Sequence, residues 1–275
     1  MARHLRPLAG TPGRRKWRLP TPARTGSDGR APYSERMDAP LSRAVAPGLQ
    51  VVASVDSTNA ELLRRAERLQ HFAVLATDDQ TAGRGRLGRT WVAPTGRTLA
   101  VSVFLASPPD GWIPLLAGVA MARAVRTLVT AEVTLKWPND VRVAGNKVSG
   151  ILAELAPDGV VLGAGLNLTL EAGQLPTPVS TSLTLHGADP DGLFDRALAA
   201  YLTELRAVLE TDAPREVVLV ECDTIGRPVR VELPGGDLLE GAALDLDRDG
   251  RLVVADASGA LTAVAAGDVT HVRPL

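Results

Sequence analysis

The octapeptide 83-GRGRLGRT-90 decides which fold the rest of the chain can have. Its glycines, Gly83, Gly85 and Gly88, spell GxGxxG, the fingerprint of dinucleotide-binding turns. It is also one residue from GxxxxGK(S/T), the phosphate-cradling loop, with Arg89 where lysine belongs. Both motifs work only between a strand and a helix, because the helix N-terminus holds the phosphate. A strand pattern at 72–76 leads into the loop, but no helix pattern follows it. The continuation 90-TWVAPTGRTLAVSVFL-105 has a turn at Pro94 and Gly96, then the alternating, β-branched texture of a strand. Context therefore rules out both nucleotide-loop readings. What remains is Arg84, Arg86 and Arg89 on a backbone whose glycines allow positive φ and close approach to a ligand. Guanidinium forks pair well with phosphate and carboxylate oxygens. Alone, the loop leaves an anion clamp, a solvated basic loop and a nucleic-acid contact all open.

Outward from the loop, the pattern is globular from Leu49. It predicts strands at 49–53, 72–76, 99–105, 133–137, 147–155 and 160–168. Helices are expected from Asp56-Ser57 to about 69, then at 114–129, 191–209 and 214–221. The first has Thr58 and Glu61 as a capping-box pair and Leu62, Leu63, Ala66 and Leu69 as its apolar face. After Cys222 come short runs at 228–233, 240–246, 251–255 and 260–265, separated by PGG, DRDG and SGA turns. That spacing predicts a small β-barrel. The class is α+β with a mixed or antiparallel sheet. We divide the chain into a disordered basic tail (1–45), a main α+β domain (46–221) and a C-terminal module (222–275). The first 36 residues hold nine Arg or Lys and two acids, with many Pro and Gly and no apolar periodicity.

Composition narrows the function classes. The chain has 275 residues, 45% hydrophobic, with a net charge of -1. A core can be buried, and a general nucleic-acid binder is disfavoured. No apolar run approaches the roughly 18 residues of a membrane span. The single cysteine, Cys222, excludes an internal disulfide and suits a reducing cytoplasm. The four histidines lack metal-ligand spacing, so no protein-only metal site is expected. Of 30 basic residues only Lys16, Lys136 and Lys147 are lysines. Where arginine is so favoured, a retained lysine marks a place that needs a compact ammonium.

Two of those lysines fall in 135-LKWPNDVRVAGNKVSGILAEL-155, with Asn139 and Asn146. Trp137-Pro138 ends a strand. Asn139 and Asp140 then sit at a turn, either a plain turn or oxygen ligands for a Mg²⁺-bound phosphate. Lys147 lies on a strand, odd for a core residue and sensible for a site.

Together these segments resemble the biotin protein ligases. The resemblance runs through 54-SVDSTN-59, 80-QTAGRGRLGRTW-91, 136-KWPND-140, 147-KVSGILAE-154 and 163-GAGLNL-168. It continues into 226-GRPVRV-231 and 267-GDV-269, covering about residues 49–275. It implies a catalytic domain like that of class II aminoacyl-tRNA synthetases, followed by an SH3-like barrel. It implies that biotin and ATP, with Mg²⁺, form biotinyl-5′-AMP and pyrophosphate, and that biotin then passes to a lysine of a biotin carboxyl carrier domain of an acyl-CoA carboxylase. Implied biotin-binding residues are Ser57, Thr58, Asn59, Gln80, Gly83, Arg84, Lys147 and Gly150. Implied ATP or adenylate residues are Arg86, Arg89, Trp91, Lys136, Asn139, Asp140, Lys147, Gly163, Gly165 and Asn167. Lys147, Arg86 and Asp140 would carry the catalysis, with Mg²⁺ near Asp140. The 48 residues before the first strand are too few and too rich in Pro and Gly for the helix-turn-helix of some family members. A monofunctional cytoplasmic enzyme without DNA binding, monomer or homodimer, is expected. Lipoate or octanoate transfer on the same scaffold is the alternative enzyme reading, and an Arg-rich nucleic-acid module the alternative from another class.

Overall fold

A computed structural model describes residues 38–91, 94–233, 235–265 and 268–271. The expected tail lies outside these residues up to position 37, as does Gly267. From 38 onward the structure corrects it. Helix α1 (Pro40–Val45) packs on α4 (Leu193–Leu209). It is anchored by Asp195, whose carboxylate accepts from Leu41 N, Ser42 N and Ser42 Oγ. Six residues are too few to show helical periodicity, and the cap comes from a residue about 150 positions away, so the sequence pattern hides it.

The larger part is a seven-stranded sheet in the order β1 (Gln50–Val51), β2 (Ala73–Thr77), β3 (Thr98–Leu105), β7 (Gly159–Asn167), β6 (Asn146–Ala156), β5 (Asp140–Val143), β4 (Val133–Lys136). β1 and β2 are parallel and every other pair is antiparallel. One sheet face carries the main core. Leu99, Val101, Val103 and Leu105 of β3 and Val160, Leu162, Ala164 and Leu166 of β7 pack there with α3 (Trp112–Arg126) and α4. The period-2 alternation of strands turns Ser102, Phe104, Gly163 and Gly165 to the other face, where α2 (Thr58–Arg65) lies. Around α2 a smaller core of Leu62, Leu75, Phe104 and Val161 forms.

Two expectations shift here. The N-cap of α2 is Ser57, whose hydroxyl accepts from Ala60 N. Glu61 is therefore no capping-box partner of Thr58 and instead pairs with Arg64 and Arg65. Asp140 opens strand β5 instead of sitting in a turn, so the hairpin β5–β6 starts directly after Trp137-Pro138-Asn139.

Past α5 (Pro214–Glu221), a second sheet runs β11 (Leu261–Val264), β10 (Leu252–Ala255), β9 (Leu238–Leu246), β8 (Pro228–Glu232), β12 (Asp268–His271), all antiparallel. Its inward residues Val229, Val231, Leu246, Leu252 and Val254 belong to the same apolar cluster as the core of the larger sheet. The indole N–H groups of Trp112 and Trp137 donate to Arg248 O and Gly250 O in the β9–β10 turn. Both sheets thus close over one continuous core beside the site.

Candidate active site

The site lies on the sheet face opposite the main core, between the N-terminus of α2 and the glycine loop. Its polar end is a buried relay. Thr58 N donates to Gln80 Oε1 at 2.8 Å. Ser102 Oγ lies 2.7 Å from Thr58 Oγ1 and donates to Asn59 Oδ1 at 2.6 Å. Asn59 Nδ2 donates to Glu154 Oε2 at 2.7 Å. Asn59 and Ser102 are buried, so these groups must pair with one another or with a ligand. Before α2, Arg64 grips Asp56 with both guanidinium nitrogens. That bond holds the Asp56 carboxyl down at about 2, against its partial desolvation.

The cationic end is built from the loop and the β5–β6 hairpin. Gly85 N donates to Arg89 O and Trp91 N to Gly83 O, closing the loop on itself. Leu87 at its tip has φ 56°, left-handed for a residue with a side chain, and Gly88 follows at φ 73°. Arg86 Nη1 donates to Asn139 Oδ1 at 3.1 Å, and Arg84 reaches Glu154 at 3.6 Å. A register shift between Val141 and Arg142 is a bulge that leaves Lys147 and Gly150, three positions apart, facing the same side. A Cβ at Gly150 would stand 3.3 Å from Lys147 Nζ. Lys147 forms an ion pair with Asp140. Its backbone is gripped on the outer side too, since Lys147 N donates to Val179 O and Thr181 N to Lys147 O, each at 2.8 Å.

The resulting cleft of about 840 Å³, counted to its open mouth, is lined by most of the residues singled out from sequence. These are Ser57, Thr58, Asn59, Gln80, Arg84, Arg86, Arg89, Trp91, Asn139, Asp140, Lys147, Gly150, Gly163 and Gly165. Among the lining residues four are cations and one, Asp140, is a carboxylate. Such a cavity suits a small ligand with a neutral polar end and a polyanionic end.

Three expected residues do not line it. Gly83 is the buried hinge of the loop, where a Cβ would meet Trp91 O at 2.3 Å. Asn167 donates to Thr181 O at 2.8 Å, bracing the segment that grips Lys147. Lys136 is on the outermost strand β4, where it adds to the positive field on His271. Gly163 and Gly165 do line the cleft, but the close approaches they permit come from side chains. A Cβ would lie 2.2 Å from Asn59 Oδ1 at Gly163 and 2.4 Å from the Trp91 ring at Gly165. Sequence reasoning missed Ser102 and Glu154. The signal for Ser102 was a hydroxyl in the middle of the buried strand β3, on the face away from its Leu99, Val101, Val103 and Leu105 run. Glu154, ending the 147-KVSGILAE-154 motif, gave only its charge.

Fold and site define a ligase of the biotin and lipoate class. Residues 51–168 match the Biotin/lipoate A/B protein ligase family, and 224–272 match the Biotin protein ligase C terminal domain. A biotin–(acetyl-CoA-carboxylase) ligase of Mycobacterium tuberculosis is 42% identical over 241 residues, 82% of this chain and 89% of that protein. A protein of the same description from Paracoccus denitrificans is 32% identical over 76% of this chain and 95% of its own length. Among solved structures, the biotin protein ligase from Aquifex aeolicus in complex with biotin and ATP matches with a TM-score of 0.67. It is 26% identical, over 82% of this chain and 99% of that one. The chain belongs to the biotin protein ligase family.

Proposed function

We propose that this protein is an ATP-dependent biotin protein ligase, acting on a biotin carboxyl carrier domain of an acyl-CoA carboxylase. The observation that carries this reading is the union, in one cleft, of a closed amide–hydroxyl relay and four cations centred on Lys147. The relay supports a bicyclic urea headgroup, with Ser57, Thr58, Asn59 and Gln80 pairing its N–H and C=O groups. A fatty acyl or lipoyl chain would offer no hydrogen-bonding partner to the polar groups of Ser57, Thr58 and Gln80 that line the cleft, which disfavours the transferase alternative. Gly83 and Arg84 close over the headgroup, and Gly150 gives the valeryl chain room beside Lys147.

In the first step a biotin carboxylate oxygen attacks the α-phosphorus of ATP. The bond to pyrophosphate breaks, and biotinyl-5′-AMP forms. Two anions must meet, so fixed positive charge supplies most of the help. Lys147 bridges carboxylate and α-phosphate, exchanging its ion pair with Asp140 for the ligands. Arg86 and Arg89 clamp phosphates, with Arg86 steadied by Asn139. Lys136, at the end of β4, attends the departing pyrophosphate. Trp91 and Gly165 shape the adenosine side, with Asn167 holding its far wall, while Gly163 packs against Asn59 at the headgroup end. Among the described residues no cluster of three His, Cys, Asp or Glu could hold a metal ion. Magnesium bound to the phosphates would offset their charge, and Asp140, the carboxylate in the cleft lining, is the residue that would hold it. In the second step the acceptor lysine amine attacks the acyl carbon, AMP leaves, and an amide forms.

On this reading the catalytic sheet is the class II synthetase-like fold and the five C-terminal strands an SH3-like barrel. The protein works in the cytoplasm as a monomer or homodimer and does not bind DNA. No helix among the described residues is long and apolar enough to cross a membrane. The test is pyrophosphate release with and without biotin, followed by addition of a carrier domain. Release should require biotin, and label should reach the carrier but not a variant whose acceptor lysine is arginine. Biotin-independent release, or label on that variant, would reject the proposal.

A further inference from the structure

We infer that Glu154 is a positioning residue that sets which way the hydrogen bonds of the biotin-headgroup pocket run, and ties that pocket to the glycine loop. The inference rests on the proposed biotin reading. Glu154 is outside the cleft lining, so it acts through its neighbours. A carboxylate only accepts. Its Oε2, 2.7 Å from Asn59 Nδ2, therefore orients the Asn59 amide with NH₂ toward β6 and oxygen toward Ser102. Leu152 O, 3.3 Å from the same nitrogen, agrees with that orientation. An amide oxygen also only accepts, so the one proton of Ser102 Oγ goes to Asn59 Oδ1 at 2.6 Å. Ser102 Oγ then has no proton left for Thr58 Oγ1, 2.7 Å away, and the Thr58 hydroxyl has two acceptors within reach, Ser102 Oγ and Gln80 Oε1 at 3.2 Å. Thr58 N meanwhile holds Gln80 Oε1, which leaves the Gln80 NH₂ to donate beside Gly83 of the loop. One acceptor-only group at the end of the relay thus sets the direction of the bonds made by Asn59 and Ser102.

The second oxygen of Glu154 faces Arg84 Nη1 at 3.6 Å. Arg84 belongs to the loop that closes the cleft. The same carboxylate therefore links the pocket floor on β6 to the loop above it. Gly163 opposite makes the arrangement possible, because any Cβ there would collide with Asn59 Oδ1.

Glu154→Gln keeps size and shape but replaces the acceptor-only group with one that can also donate. Biotin affinity would be measured by calorimetry for the intact protein, Glu154→Gln, Ser102→Ala and the double variant, with thermal melting of each. We expect Glu154→Gln to weaken biotin about tenfold while ATP KM changes less than about twofold. The double variant should bind about as weakly as Ser102→Ala alone, because both break one relay. Biotin affinity within twofold of the intact protein, or effects of the two changes that simply multiply, would overturn the inference. So would a lowered melting temperature with unchanged affinity, the mark of a purely structural role. If the intact protein binds no biotin at all, the proposed function fails first and this inference with it.

Discussion

At the scale of single residues, Lys147 bears the most weight. Lys147→Arg keeps the charge and loses the compact ammonium that fits between a carboxylate and a phosphate. We expect biotinyl-AMP formation to fall by ~100-fold or more, with the melting temperature little changed. A stopped-flow pyrophosphate assay giving near-normal rates would remove Lys147 from the centre of the chemistry. Gly163→Ala probes the opposite kind of constraint. Its Cβ would sit 2.2 Å from Asn59 Oδ1, and the buried amide has nowhere to retreat. Biotin binding should weaken at least about tenfold, in line with a buried relay losing ~1–3 kcal/mol. Unchanged affinity would mean that Asn59 moves freely. Most of the residues that share the cleft stood out at this scale, for particular reasons. Lys147 stood out because lysine is scarce, and the loop arginines because nothing helical follows them. Lys136 and Asn167 were named but lie outside the cleft lining, and Ser102 and Glu154 were not named, since motif spacing does not say which face of a twisted, bulged sheet a residue occupies.

At the scale of elements, strands and long helices followed their hydrophobic period, and the exceptions have physical causes. β5 is four residues long and begins on polar Asp140, so Asn-Asp after proline read as a turn. Helix α1 draws its stability from Asp195, which sequence separation conceals. That makes a clean prediction. Asp195→Ala leaves Leu41 N, Ser42 N and Ser42 Oγ without their acceptor. Urea unfolding should show a loss of ~2–4 kcal/mol, while biotin KM stays near normal because α1 packs on α4, away from the cleft. A loss below half a kcal/mol would show that α1 contributes little to the fold.

At the scale of the whole molecule, the change of texture after Cys222 pointed to short strands, and a five-stranded sheet lies there, but how it joins the larger sheet was not legible. The two sheets share an apolar core, and a polar clasp closes their edge. Arg142 Nη1 lies 3.2 Å from His271 Nδ1, and His271 Nε2 lies 3.1 Å from Thr224 Oγ1. Thr224 in turn accepts from Trp137 N at 2.9 Å. A neutral ring satisfies this, accepting at Nδ1 and donating from Nε2. Burial chiefly, with Arg142, Lys136 and Arg227 adding and Asp223 opposing, pushes His271 down to about 4 from 6.5. The unfolded chain then binds the proton first as pH falls, so this contribution to stability is full above about 6.5 and is lost toward 4. Melting temperature should drop between pH 7 and pH 5, and His271→Gln should flatten that drop. An equal slope in both proteins would place the acid sensitivity elsewhere.

The most direct test of the ligase reading is mass spectrometry of the purified protein after incubation with MgATP and an equal mixture of biotin, lipoate and octanoate. The polar relay beside Lys147 should yield biotinyl-AMP alone. A lipoyl or octanoyl adenylate of comparable yield would contradict the specificity drawn from that relay, and no adenylate from a folded sample would contradict the ligase itself.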